Sequence, residues 1–127
     1  LLSPFTSRVI VSFFDPYAKA NRRLKKIGVE AEKVAGSLEQ QADLLGRFAQ
    51  VAAVAGLEIQ SCAEAALAAG VRPGKCVDEG LLNELFNLNL AYRKDPSQRK
   101  LCLCQQSIDI GSYGTCGHGC IYCYARR

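Results

Sequence analysis

Three cysteines near the end of the sequence, Cys116, Cys120 and Cys123, stand in the spacing CxxxCxxC within the run Thr115-Cys-Gly-His-Gly-Cys-Ile-Tyr-Cys-Tyr-Ala-Arg126. Thiolates this close repel one another unless a cation sits among them, so the spacing predicts a shared metal ion or cluster. Gly111, Gly114, Gly117 and Gly119 let the backbone turn tightly and aim N–H groups at the sulfurs. Three ligands leave one iron of a four-iron cluster open to a further ligand, which points to chemistry more than to structure. A structural zinc loop or a disulfide loop is the alternative reading. His118 is the only histidine. It stands too close to Cys116 to share a metal easily, so it is expected to fill a turn. The functional alternative is a hydrogen bond to a cluster sulfur or proton transfer.

Of the seven cysteines, four lie outside this motif: Cys62, Cys76, Cys102 and Cys104. Four thiolates fill a structural zinc site or an auxiliary [4Fe–4S] cluster. Cys102 and Cys104 are two apart, so in an extended segment both side chains face the same way. Cys62 falls where a strand is expected to end and a helix to begin, an edge at which α/β folds bind ligands. An auxiliary cluster, a zinc ion and unliganded thiols all remain open.

CxxxCxxC with an aromatic residue, Tyr122, just before the last cysteine resembles the signature of the radical S-adenosylmethionine enzymes. The wider run from Cys116 to Arg126 is especially similar to members related to spore photoproduct lyase. The resemblance implies a [4Fe–4S] cluster on Cys116, Cys120 and Cys123, whose open iron binds the methionine moiety of S-adenosylmethionine. It further implies reductive cleavage of that cofactor to a 5′-deoxyadenosyl radical. An electron donor such as a flavodoxin or ferredoxin is implied as well. Tyr122 matches the position whose backbone approaches the adenine. Auxiliary clusters occur in several such enzymes, which would suit the other four thiols. In that superfamily the triad follows the first barrel strand, whereas here four residues follow Cys123. The remaining barrel strands are therefore expected either to lie upstream, in a reordered barrel partly absent from this fragment, or to be lost. The segments Lys94–Arg99, Cys102–Cys104 and Ser107–Gly111, with the final motif, also resemble a bacterial family known only as a domain of unknown function.

The elements that must position these cysteines follow from the apolar pattern. Ser7–Phe14 is β-branched and aromatic and reads as a strand covered on both faces. Tyr17–Ile27 has helical spacing at Tyr17, Ala20, Leu24 and Ile27, with Gly28 as a stop. Ser37 and Gln40 form a capping box for a helix whose stripe is Leu38, Ala42, Leu45, Ala49 and Ala52, closed by Gly56. Leu57–Ser61 reads as a second strand. Ser61 with Glu64 is expected to cap an alanine-rich helix ending at Gly70, followed by a loop over Val71–Cys76. Asp78 caps a helix through Leu81, Leu82, Leu85 and Phe86. These alternations predict an α/β fold, a partial parallel βα barrel-like fragment with a C-terminal cysteine-rich loop. Residues 1–92 would form the α/β portion and 93–127 the cluster-binding segment.

The bulk composition bounds the rest. The chain has 127 residues, 49% hydrophobic and 22% charged, an ordinary globular balance. It holds no methionine, even at position 1, so a fragment of a longer protein is expected. No apolar run is long enough for a bilayer, and the start lacks the pattern of a signal peptide. With an odd cysteine count this favours a reducing cytoplasm and no membrane partner. The net charge is +4. The basic cluster Arg22–Lys26 reads as a solvated helix face. Arg126 and Arg127 beside the motif would suit nucleic-acid phosphates, a small anionic substrate or peptide, or the negative charge of the cluster itself.

Overall fold

β-Branched residues open the first element, β1 (Arg8–Val11), the middle of the expected strand. The structure is a computed structural model that describes residues 3–31, 36–66, 68–123 and 125. Two compact units emerge: Leu1–Ser12 with Leu38–Ser107, and Phe13–Ser37 with Ile108–Arg127.

In the first unit, β1 lies beside β2 (Glu58–Ser61), which lies beside β3 (Val71–Pro73); both pairings are parallel. Arg8 is opposite Glu58 and Val11 opposite Ser61, while Ile59 is opposite Val71. The fold is thus a mixed α/β unit with an open, three-stranded parallel sheet rather than a closed array. Helix α2 (Leu38–Val54) packs on β2 and β3. It buries Leu45 fully and Ala52 nearly so, two members of the expected stripe. It stops through Gly56, whose φ of 67° lets the Leu57 N–H reach back to the Ala52 carbonyl at 2.9 Å.

Helix α3 (Glu79–Phe86) starts as expected: the Asp78 carboxylate accepts from the N–H groups of Gly80 and Leu81. The Arg8 guanidinium donates to the same carboxylate at 2.7 Å, tying β1 to the helix start and holding Asp78 below the usual carboxylate range. In the second unit, α1 (Ala18–Lys26) buries Ala20. It ends near Gly28, with the Val29 N–H on the Leu24 carbonyl at 3.0 Å.

Two local expectations are corrected. Between Cys62 and Gly70 the described residues form no helix. The Cys62 N–H instead extends the parallel ladder to the Val11 carbonyl at 2.9 Å, and Ala63 turns left-handed at φ 57°. Alanine-rich composition favours helix only weakly, and these tertiary contacts override it. The segment Val71–Cys76 is not wholly loop, because its first three residues are β3. Beyond β3 the chain passes so close to β2 that a Cβ on Gly74 would sit 2.6 Å from the Gln60 Cβ. Only glycine fits there, and the close passage delivers Cys76 to the end of the sheet.

Candidate metal centres

The end of the parallel sheet is where the first thiol group assembles. Cys62 follows β2 directly, and Cys102 and Cys104 arrive on a segment held by the antiparallel bridge Lys94–Gln105. Gln105 N–H donates to the Val77 carbonyl at 2.9 Å and Asp95 N–H to the Cys104 carbonyl at 3.2 Å. The alternation expected there is observed: Cys102 and Cys104 are buried, while Leu103 between them is 39% exposed. The Sγ atoms of Cys62, Cys102 and Cys104 all lie within 4.8 Å of one another, a group able to hold a metal ion. Among the described residues it is the single such group of histidine, cysteine or acidic side chains. Ile10, Ala63 and Val77 pack around it.

Cys76 joins from the exposed side. Its backbone N–H donates to the Cys104 Sγ at 3.2 Å. The Cys104 N–H in turn donates to the Cys102 Sγ at 3.5 Å. Burial pushes the Cys62 thiol up to about 12, with the Cys76 thiol adding to the shift. Burial also raises Cys102. Burial acts the same way on Cys104. There, however, hydrogen bonds from the Val77 backbone, the Cys102 thiol, the Cys76 backbone and the Cys76 thiol prevail and lower it. Arg99 brings a positive charge close, donating to the Cys62 carbonyl at 3.2 Å and pairing with Glu64 at 3.7 Å.

The motif cysteines form a different arrangement in the second unit. Cys116, Cys120 and Cys123 do not close within 4.8 Å; together with Ser112, Gly114, Gly119 and Ala125 they line a cavity of about 290 Å³. Gly114 and Gly119 have φ of 80° and 66°, so two of the four glycines serve the curl expected of them. The loop closes on itself through Gly114 N–H to the Ala125 carbonyl at 3.0 Å and Cys123 N–H to the Cys120 carbonyl at 3.2 Å. His118 is exposed in a turn. The Tyr122 ring packs at a tilt of 42° against Phe14, 4.6 Å between centroids, and lies 6.1 Å from Tyr17, and its hydroxyl donates to the Asp15 carbonyl. Arg126 and Arg127 lie outside the described residues.

Sequence reasoning missed Arg23. Its guanidinium donates to the carbonyls of Cys123 at 2.7 Å and Ile121 at 3.4 Å, clamping the last turn of the motif to α1. Its signal was its place three residues after buried Ala20, on the same face of the helix. Phe14 and Tyr17, which hold Tyr122, carried no signal beyond being aromatic. Arg23→Leu should weaken metal retention by the motif by about 10-fold, the effect usual for groups that orient a ligand loop. Chelator competition measures this, and an unchanged affinity would remove Arg23 from the site.

No helix among the described residues is long and apolar enough to cross a membrane. No curated protein and no solved structure matches the chain. A family described as "Domain of unknown function (DUF1848)" matches residues 1–125, and the chain belongs to that family.

Proposed function

We propose that this is an iron–sulfur protein of the radical S-adenosylmethionine type, with its [4Fe–4S] cluster on Cys116, Cys120 and Cys123. The observation that carries the reading is one cavity lined by all three motif cysteines. That lining is rich in thiol sulfur, the donor such clusters take, and supplies three ligands rather than four. When bound, such a cluster supplies one electron to the sulfonium of S-adenosylmethionine, releasing methionine and a 5′-deoxyadenosyl radical that removes a substrate hydrogen.

The chain's own groups give the site its form. Gly114 and Gly119 allow the curl that brings three cysteines around one space. Arg23 holds the Cys123 carbonyl and places a positive charge beside an anionic thiolate cage. Phe14 and Tyr17 fix the Tyr122 ring, which leaves the backbone of Tyr122 as the group to meet an adenine. The open parallel sheet would be part of a larger βα array, with further strands pairing on β1 or β3. A one-electron donor of the flavodoxin or ferredoxin class and a reducing cytoplasm complete the reading, in keeping with seven free cysteines.

The test is anaerobic reconstitution of the full chain with iron and sulfide, followed by dithionite and S-adenosylmethionine. Expected are about four irons and four labile sulfides on the motif, an electron-paramagnetic-resonance signal that S-adenosylmethionine changes, and 5′-deoxyadenosine. Zinc on the motif without labile sulfide would overturn the cluster. A cluster whose signal ignores S-adenosylmethionine would overturn the cofactor chemistry.

A further inference from the structure

The thiol group at the end of the sheet calls for its own occupant. We propose that Cys62, Cys102 and Cys104, completed by Cys76, bind one thiophilic divalent cation of the zinc class as a mononuclear tetrathiolate site. The inference is independent of the iron–sulfur reading, since it uses other cysteines in the other compact unit.

Spacing decides between one ion and a cluster. Four sulfurs at about 2.3 Å from one tetrahedral ion stand about 3.8 Å apart. Cysteines on a four-iron cube each take a different iron and must stand further apart. Three of these sulfurs already lie within 4.8 Å of one another, so only small adjustments separate them from the mononuclear geometry. Cys76 lies outside that 4.8 Å group, yet its backbone N–H is 3.2 Å from the Cys104 Sγ, so a turn of its side chain would bring a fourth thiol to the group's open side. Cys76 is exposed where the other three are buried, which also gives the ion its way in.

Hydrogen bonds of the kind that a metal-bound thiolate accepts are already in place. Backbone N–H groups of Cys76 and Cys104 already donate to sulfur, the outer hydrogen bonds that orient and stabilise metal-bound thiolate. Four thiolates around a divalent ion carry a net charge of −2, and Arg99, bonded to the Cys62 carbonyl, offsets part of it.

The proposal is tested on the full chain with Cys116, Cys120 and Cys123 changed to alanine, so that no metal on the motif contributes. Purified anaerobically, this variant should hold one zinc per chain. Exchange with Co(II) should give the intense visible bands and sulfur-to-cobalt charge transfer of a tetrahedral thiolate site. Adding Cys76→Ser, at an exposed position, should weaken zinc in chelator competition by at least about 100-fold, more than loss of an outer partner does. A folded variant without metal, iron with labile sulfide in place of zinc, or a cobalt spectrum lacking the tetrahedral thiolate bands would each overturn the site. An unchanged affinity in Cys76→Ser would overturn the fourth ligand.

Discussion

Stripping the metal from the sheet unit should unfold that unit rather than merely empty a pocket. Cys62 belongs to the end of β2, Cys76 to the chain leaving β3, and Cys102 and Cys104 to a segment with neither helix nor strand beyond one bridge. One ion would therefore join three stretches otherwise linked by a few hydrogen bonds, such as Gln105 N–H to the Val77 carbonyl and Arg99 to the Cys62 carbonyl. The apolar core is thin: its members are mostly alanine and cysteine, and Leu45 is the only large side chain buried completely among the described residues. Burying such a leucine contributes about 1.5–3 kcal/mol. A zinc–thiolate site contributes on the order of 10 kcal/mol, comparable with the entire stability of a small domain. Loss of helix and sheet signal in circular dichroism on adding a strong chelator, recovered with one equivalent of zinc, is the expected result. A metal-free protein that keeps its cooperative melt would show that the thiols serve only as core.

Local signals made most of the scaffold legible in the sequence. β1, α2 and α3 each combine an apolar pattern with a stop or a cap, and Asp78 caps α3 as its type and place predict. β3 was invisible because three residues ending in proline have no periodicity; only their pairing with β2 makes them a strand. The missing helix after Cys62 failed for the opposite reason, since local propensity was present and long-range contacts overruled it. The cysteines divide in the same way. The CxxxCxxC spacing is local, so a shared space for Cys116, Cys120 and Cys123 could be read directly. The meeting of Cys62 with Cys102 and Cys104 depends on β2 ending beside a distant segment, which the number of thiols hinted at and no spacing encoded. Arg23 was hidden in plain view, one positive charge in a basic helix whose partner carbonyls lie some hundred residues away.

Changing Cys116, Cys120 and Cys123 together to alanine should abolish labile sulfide and 5′-deoxyadenosine formation while leaving the zinc and the melting of the sheet unit unchanged. The functional loss should be complete, because no other cysteine belongs to the second unit and a three-thiolate cluster has no spare ligand. The stability loss should be small. Cys116 and Cys120 are exposed and Cys123 only half-buried, so no core is opened, and surface changes of this kind usually fall within about 0.5 kcal/mol. The loop would still be held by Tyr122 on Phe14 and by Arg23 on the Cys123 carbonyl, neither of which needs a thiol. Pairing this variant with Cys102→Ser separates the two centres: the first should lose iron and keep zinc, the second should lose zinc. Iron and sulfide surviving in the triple variant would place the cluster on the sheet thiols instead, and the roles assigned to the two cysteine groups would have to be exchanged.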